Sequence, residues 1–295
     1  MPVVRRKKKG LANKVLAFDL DGTILRKDNT LHPETEKMLM EAKRFGSTNV
    51  IATGRGLLKV IPLINNGVLK YIDYLVCSNG ALTFDLKKNE TTILGSIGMD
   101  AFEAMLQKAK EEELIFSVDT DAFNGTIIFS NDGSELPSWL ENETMDLAIL
   151  NRFTEEQVRV ALEEENASIT QVAIRSPRNK AEKNTKEMQR ILGDKYQVVL
   201  TNSVYTDVNK KGISKFQGLL YLCQQLNLKI EDVIAFGDSG NDTEMLTKCG
   251  IGIAMGNATK DAKQAADFVI GDHEDDAIGE AINYLIWNGV PVEVE

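Results

Sequence analysis

Short apolar runs alternate with amphipathic stretches over the first part of the chain. The pattern predicts strands at about 15–19, 49–53 and 72–77, separated by helices at about 34–45 and 57–65. Short strands that alternate with helices are typical of βαβ units, which form a parallel sheet. This end of the chain is therefore predicted to form an α/β unit.

The same alternation returns near the C-terminal end. Ser214 and Gln217 form a capping-box pattern, which predicts the start of a helix there. The predicted helices are 215–226, 242–248, 259–266 and 275–287, and the predicted strands are 232–236, 250–255 and 267–270. We expect both ends of the chain to contribute to one sheet.

The middle of the chain has a different order of predicted elements, with paired strands and fewer helices. Strands are predicted near 114–119, 126–130, 169–175, 196–200 and 204–208, and helices near 99–113, 154–165 and 180–192. We therefore predict an α/β fold with a Rossmann-like parallel-sheet core domain, formed by residues 1–83 and 210–295. Residues 84–209 would form an inserted α+β domain.

Two carboxylates follow the first predicted strand. Asp19 and Asp21 stand where the apolar run 15–18 ends, and Gly22 permits a sharp turn. Ligands of open α/β sheets bind at this edge. An ordinary surface turn is the alternative, but two neighbouring negative charges favour a divalent cation, and Mg2+ commonly binds one or two carboxylates together with phosphate oxygens.

A second acidic turn directly follows the apolar run 233–236. If both strands lie in one parallel sheet, Asp238 reaches the same edge as Asp19 and Asp21, and three converging carboxylates favour a bound cation. Asn241 is predicted to begin the following helix, with Glu244 as its capping partner. The sequence thus predicts a Mg2+ site at this edge.

Donors for an anion are predicted at the same edge. Thr53 and Gly54 follow the predicted strand 49–53 and offer a hydroxyl and backbone N–H groups. Lys215 lies in the first turn of a predicted helix, where a cation opposes the macrodipole unless an anion is close. A simple helix cap and a solvated lysine are the alternatives. Lys210 and Lys211 precede the cap and are assigned to the linker.

These residue types suit phosphoryl transfer through an aspartyl-phosphate. Asp19 would attack phosphorus, and Asp21 would protonate the leaving alkoxide and then take a proton from water. Thr53, Lys215 and backbone N–H groups would hold the charge that develops on phosphate.

The motifs resemble those of a known family. DLDGT at 19–23, TGR at 53–55, GISK ending at 215 and GDSGND at 237–242 are similar, in this order, to the four motifs of haloacid dehalogenase-like phosphatases. SNGA at 78–81 and AMGNATKDAKQAAD at 254–267 resemble the Cof-like subfamily, which has a large α/β cap that determines substrate specificity. The resemblance covers about residues 15–287.

The resemblance implies a role for each matching residue. The metal ligands would be Asp19, Asp21 through its backbone carbonyl, and Asp238, with Asp242 behind them. Leu20, Thr53, Gly54, Lys215 and Asn241 would surround the phosphate. Phe216 and Ala277 depart from the subfamily, which usually has glycine there, and Phe216 is expected to alter how the cap meets the core near Lys215.

The cap gives no recognisable substrate motif. Asn124 and Arg175 are polar residues near predicted strand ends, and a structural or solvated role is the simpler interpretation of both. The expected substrate is a small phosphorylated metabolite, a sugar phosphate or a cofactor-precursor phosphate. A sugar phosphomutase or phosphotransferase is the enzymatic alternative, and a non-catalytic regulatory protein with a basic N-terminal arm is the other.

Composition limits the partners and the compartment. The net charge of −10 argues against nucleic acid as the main partner, although residues 5–9 form a basic arm. Three cysteines without metal-ligand spacing favour reduced thiols and a cytoplasmic location. No apolar run reaches the length of a membrane span. The oligomeric state does not follow from the sequence.

Overall fold

The computed structural model describes residues 11–130, 136–142 and 150–289. The predicted basic arm, residues 5–9, lies outside them. In chain order the strands are β1 (Val15–Phe18), β2 (Thr48–Ala52), β3 (Tyr74–Cys77), β4 (Leu82–Asp85), β5 (Glu90–Ile93), β6 (Ile115–Thr120), β7 (Asn124–Ile128), β8 (Ile169–Arg175), β9 (Tyr196–Thr201), β10 (Tyr205–Lys210), β11 (Val233–Gly237), β12 (Ile251–Ala254) and β13 (Phe268–Val269).

The α-helices of the described residues connect and cover these strands. They are α1 (Pro33–Arg44), α2 (Leu57–Asn65), α3 (Met99–Glu111), α4 (Glu155–Glu164), α5 (Arg178–Leu192), α6 (Lys215–Gln225), α7 (Thr243–Lys248), α8 (Lys260–Ala265) and α9 (Ala277–Asn288). None of them combines the length and the apolar composition that a membrane span requires.

Eight strands form the first sheet, in the order β13-β12-β11-β1-β2-β3-β4-β5. The pairs from β13 to β3 are parallel, as predicted, and β4 and β5 are antiparallel additions at one edge. Every residue of β1 and β11 is buried, and Phe18 stacks on Phe236 with ring centroids 4.8 Å apart. Strands from both ends of the chain thus share one hydrophobic core, which we call the core unit.

The second sheet is antiparallel, in the order β7-β6-β8-β10-β9. We call this sheet and the helices packed on it the inserted unit. Alternate residues of the sheet, such as Val172 and Val208, join Phe102 of α3 and Met188 of α5 in a separate hydrophobic cluster. Because strand side chains alternate between faces, the neighbouring residues of β8 and β10 point toward the core unit. The predicted combination of a parallel-sheet core and an inserted α+β unit is confirmed.

Strands β4 and β5 lie in the first sheet, although the sequence pattern assigned residues beyond 83 to the inserted domain. All four residues of β5 are exposed, so this edge strand has no apolar alternation from which it could be predicted. The first sheet therefore continues to Ile93. We propose that the inserted unit begins between Ile93 and Met99 and ends near Lys210.

Candidate active site

Three neighbouring parallel strands end at one point of the core unit. Strand β1 lies between β11 and β2, and Phe18 is in register with Phe236 and Ile51. Asp19 directly follows β1, its backbone N–H donates to the carbonyl of Phe236 (2.9 Å), and Asp238 directly follows β11. The parallel register therefore brings both acidic turns to the same edge of the sheet.

Asp19, Asp238 and Asp242 form an acidic cluster in which one carboxylate oxygen of each lies within 4.8 Å of the others. Burial, followed by the charge of Asp242, raises the pKa of Asp19 well above its usual value. The same two causes raise the pKa of Asp238 to about 6. Three carboxylates this close repel one another, and Lys215 supplies a single positive charge among them. An oxygen-ligated cation would reduce the remaining repulsion.

Lys215 is the first residue of α6 and is almost completely buried, at 1% exposure. Its Nζ donates to Oδ1 of Asp19 (2.5 Å) and Oδ1 of Asp242 (2.7 Å). Burial lowers the pKa of Lys215, but the two carboxylates more than offset this and raise it above its usual value. Lys215 is therefore a charged group inside the acidic cluster and not a solvated lysine, whereas Lys210 and Lys211 are exposed.

Asp242 is held from both sides. Its Oδ1 accepts from Lys215, and its Oδ2 accepts from the backbone N–H groups of Asp238 and Ser239, both at 3.0 Å. Both oxygens thus have donors within the protein. Asp242 therefore positions Lys215 and the acidic loop.

Asp21 lies beside the cluster and faces an arginine. Nε and Nη2 of Arg55 donate to its two carboxylate oxygens at 2.8 and 2.5 Å. Bidentate guanidinium–carboxylate pairs fix geometry as well as charge. The Arg55 side chain therefore orients Asp21, a role that the sequence did not predict although Arg55 belongs to the TGR motif.

Thr53 and Gly54 occupy the turn after β2. Thr53 is buried, and its Oγ1 accepts from the N–H of Arg55 (3.0 Å). A side chain at Gly54 would approach Oδ1 of Asn79 to 3.2 Å, so glycine keeps this turn open. The Leu20 side chain is buried in the core, and its backbone carbonyl accepts from the N–H of Leu25 (2.9 Å).

Asn241 does not cap the following helix as predicted. Asp242 is the N-cap residue of α7, and the Asn241 side chain instead points to Asn79, with Nδ2 donating to Oδ1 at 2.9 Å. Its own Oδ1 accepts from Ser239 (2.8 Å). A short 3-10 turn at 240–242 precedes α7 and shifts the helix start by one residue, from 242 to 243.

Asn79 links the site to the inserted unit. It adopts a left-handed conformation, with φ 53°, and its Nδ2 lies 3.0 Å from Oε1 of Gln171 and 3.3 Å from both Oδ2 of Asp207 and Oδ1 of Asn209. Nε2 of Gln171 donates to the carbonyl of Gly54 (3.0 Å). The sequence analysis assigned no role to these residues. The sequence feature that could have pointed to Asn79 is the polar run Ser78–Gly80, which directly follows the buried strand β3.

A cavity of about 600 Å³ lies between the two units. The core unit contributes Asp19, Asp21, Thr53, Gly54 and Asn241, and β6, β8 and β10 contribute residues from the other side. Lys59 of α2 and Asp119 of β6 form an ion pair of 2.8 Å between the units. The inserted unit thus faces Asp19 and Asp21 across a cavity that is partly open to solvent.

The remaining sequence candidates fall in different places. Phe216 belongs to the hydrophobic cluster of the core unit, and Nζ of Lys248 lies 5.2 Å from its ring centroid. Its expected effect on the contact with the inserted unit stays a prediction. Ala277 is buried at the start of α9. Asn124 is buried and does not line the cavity, whereas Arg175 does.

The fold and the site together define a class of protein: a parallel-sheet core with an acidic cluster, covered by an inserted unit. The chain belongs to the haloacid dehalogenase-like hydrolase family, whose model matches residues 16–282. The resemblance to Cof-like phosphatases in this family is confirmed.

Two curated relatives of this chain are phosphatases that are named for different substrates. The chain is 28% identical to the 5-amino-6-(5-phospho-D-ribitylamino)uracil phosphatase YcsE of Bacillus subtilis, over 92% of this chain and 96% of that protein. It is 28% identical to the pyridoxal phosphate phosphatase YbhA of Escherichia coli, over 92% of this chain and 98% of that protein. A haloacid dehalogenase-like hydrolase from B. subtilis shares the fold, with a TM-score of 0.76 at 23% identity over 92% and 99% of the two chains. The predicted enzyme class, a phosphoric monoester hydrolase, is confirmed.

Proposed function

We propose that the protein is a Mg2+-dependent phosphatase that hydrolyses a small phosphomonoester through an aspartyl-phosphate on Asp19. The observation that carries this proposal is the position of Lys215, whose buried ammonium contacts the Asp19 carboxylate inside the acidic cluster. A carboxylate nucleophile beside a fixed cation suits attack on a phosphate, because the cation offsets the repulsion between two anions.

The acidic cluster fits Mg2+. Its donors are carboxylate oxygens, and burial together with mutual repulsion raises the pKa values of Asp19 and Asp238, so the site gains from a cation. Asp19 and Asp238 would hold the ion, together with the backbone carbonyl of Asp21, and Asp242 would support them. When bound, the ion neutralises charge on the phosphate and on Asp19.

The other steps of the reaction are assigned to side chains of this site. Asp19 attacks phosphorus while Asp21 donates a proton to the leaving alkoxide, and Asp21 then takes a proton from the water that hydrolyses the aspartyl-phosphate. Arg55 orients Asp21 for both proton transfers through two hydrogen bonds to its carboxylate. Thr53, Lys215 and Asn241, with the N–H groups of Leu20 and Gly54, hold the phosphate oxygens.

The size of the cavity supports a small substrate. A space of about 600 Å³ suits a small phosphorylated metabolite, such as a sugar phosphate or a cofactor-precursor phosphate. The activities named for the two curated relatives support this range, since both act on small phosphorylated molecules. The three cysteines are free and buried, which supports a location in the reducing cytoplasm.

Phosphate release by the purified protein tests the proposal. The assay uses Mg2+ and a panel of sugar phosphates, nucleotides and pyridoxal phosphate, with Asp19→Asn as the test variant and Asp194→Asn, at an exposed position of the inserted unit, as the control. We expect Asp19→Asn to lose at least about a thousandfold in kcat, because the nucleophile is gone, and the control to keep its rate. Unchanged release by Asp19→Asn would show that another residue attacks phosphorus.

A further inference from the structure

A row of side chains crosses four strands of the inserted sheet and lines the cavity. We call it the cavity row, and it consists of Thr126 of β7, Ser117 of β6, Ala173 of β8 and Asp207 of β10, each in register with the next. The residues beside them along each strand, such as Val172, belong to the hydrophobic cluster of the inserted unit. Because strand side chains alternate between faces, the cavity row points away from that cluster.

The cavity row lies one step farther from the core unit than the residues that contact it. On the same face of the sheet, Asp119 pairs with Lys59 (2.8 Å), and Nε2 of Gln171 donates to the carbonyl of Gly54 (3.0 Å). Two residues of extended strand span roughly 7 Å. The cavity row is therefore placed where the leaving group of a phosphate held at Gly54 would lie.

Two hydroxyl groups of the cavity row have no partner among the described residues, those of Ser117 and Thr126. Thr126 is only 2% exposed, and its backbone is fixed on both sides: its N–H donates to the carbonyl of Asn151 (2.8 Å), and its carbonyl accepts from Phe153 (2.9 Å). Polar groups of such low exposure normally have a hydrogen-bond partner. The contents of the cavity, water or a ligand, must therefore supply it.

Asp207 adds an acceptor at the other end of the cavity row. Its Oδ2 accepts from Oγ1 of Thr201 (2.8 Å) and Nδ2 of Asn79 (3.3 Å), whereas its Oδ1 has no donor in the part of the chain that the structure describes. Ala173, between Ser117 and Asp207, is small and leaves room for the body of a ligand. Alcohol groups can donate to a carboxylate and exchange hydrogen bonds with hydroxyls, so a polyhydroxylated ligand satisfies the whole row.

We propose that Ser117, Thr126 and Asp207 bind hydroxyl groups of the leaving group, so that the preferred substrates are phosphate monoesters of sugars or sugar alcohols. This inference rests on the proposed phosphatase function, and it selects sugar phosphates over aromatic cofactor-precursor phosphates. An apolar leaving group would displace water from the cavity row and leave its polar groups unpaired, which is the basis of strong discrimination against analogues that lack hydroxyls.

Substrates of equal carbon number with and without hydroxyl groups test the cavity row. Sorbitol 6-phosphate is compared with hexyl phosphate, ribitol 5-phosphate is compared with pentyl phosphate, and pyridoxal phosphate represents the aromatic class. Phosphate release gives kcat/KM for each with the wild-type protein, Ser117→Ala, Thr126→Val and Asp207→Asn. Thr92→Val is the control, because it makes the same change at an exposed position of β5. The ratio of kcat/KM between the polyol phosphate and its alkyl partner reports hydroxyl recognition separately from phosphate binding.

The wild-type protein and the control should prefer a polyol phosphate to its alkyl partner by at least about tenfold. Ser117→Ala and Thr126→Val should each lower this ratio about threefold to tenfold and leave the alkyl phosphates within about twofold. Asp207→Asn should lower the ratio at least about tenfold, because it removes a charged acceptor.

Three results would overturn hydroxyl recognition by the cavity row. These are equal use of polyol and alkyl phosphates by the wild-type protein, a preference for pyridoxal phosphate over both polyol phosphates, and equal losses on polyol and alkyl phosphates in Ser117→Ala and Thr126→Val. Absence of release from every substrate would instead overturn the phosphatase function.

Discussion

The side-chain amide of Asn241 donates a hydrogen bond of 2.9 Å to Oδ1 of Asn79. Asn79 belongs to the core unit, and its own amide nitrogen faces acceptors on Gln171, Asp207 and Asn209 of the inserted unit. One buried side chain thus joins a residue proposed to bind phosphate to the unit that covers it. The position of Asn241 therefore depends on the inserted unit being closed over the site.

Asn79→Asp should weaken this link with little change in shape. The new carboxylate still accepts from Asn241, but it places an oxygen among three acceptors and a charge beside Asp207. We expect the free energy of unfolding to fall by about 1–3 kcal/mol and kcat/KM to fall at least about tenfold, measured by urea denaturation and phosphate release. Asn89→Asp is the control, since Asn89 is exposed and also left-handed, with φ 57°. Equal effects at both positions would contradict the account.

Gly80 permits a close approach between the SNG turn and α6. Its φ is +96°, and a Cβ built there would lie 2.0 Å from the carbonyl oxygen of Ser214, next to Lys215. Gly80→Ala should therefore combine backbone strain with a clash. Gly212 has a φ of +79° and no atom within 4 Å of such a Cβ, so Gly212→Ala carries the strain alone.

We expect Gly212→Ala to cost about 1–2 kcal/mol of unfolding free energy and Gly80→Ala about 1–3 kcal/mol more, because the clash displaces α6. Urea denaturation measures both costs. Similar costs would mean that the contact with Ser214 relaxes freely.

The sequence predicted the parts of the molecule that depend on local pattern. Fully buried strands that end in acidic turns located Asp19 and Asp238, and an unfavourable helix-start position singled out Lys215. The edge strand β5 was missed because its exposed residues have no apolar alternation. The prediction that Asn241 caps α7 was wrong, because its side chain contacts Asn79 instead. The local sequence does not distinguish a cap residue from one that contacts a distant residue.

The contacts between the two units could not be predicted in this way. Asn79 and Asp207 are 128 residues apart, and their hydrogen bond depends on how the inserted sheet is placed over the core. Periodicity reports which face of an element is buried, but it does not report which other element covers that face. For the same reason the sequence does not show that Arg175 lines the same cavity as Asp19.

Lys215→Met tests the buried cation. The change leaves Asp19 and Asp242 buried side by side without their shared positive charge, and it removes a donor to the phosphate. We expect kcat to fall by about a hundredfold to a thousandfold, the typical cost of losing one such donor. Lys211→Met, four residues earlier and exposed, should keep both activity and stability. Retained activity in Lys215→Met would remove Lys215 from the proposed mechanism.

Asp207 should make stability depend on pH. Burial raises its pKa to about 6 from the usual 3.8, although Thr201 and Asn79 donate to it. Between these two values the folded protein keeps a proton that the unfolded chain has lost, so the free energy of unfolding falls as the pH rises, by about 3 kcal/mol in total.

Asp207→Asn should remove this contribution, so the variant gains stability relative to the wild-type protein between about pH 4 and pH 7. Urea midpoints across this range, measured with a chelator present, check the sign, and Asp194→Asn should keep the wild-type slope. A wild-type slope in Asp207→Asn would show that Asp207 is ionised throughout the range.

Mg2+ should stabilise the folded protein through the acidic cluster, independently of turnover. An ion that binds only the folded state raises the melting temperature, and a tenfold excess over its dissociation constant adds about 1.4 kcal/mol. The effect should weaken as the pH falls below 6, because protons compete for Asp238, whose pKa is about 6 in the absence of the ion. Melting curves with Mg2+ or a chelator measure this shift for the wild-type protein, for Asp238→Asn, which should lose it, and for Asp194→Asn, which should keep it. A shift that persists in Asp238→Asn would place the ion elsewhere, since Asp238 contributes one of the three converging oxygens.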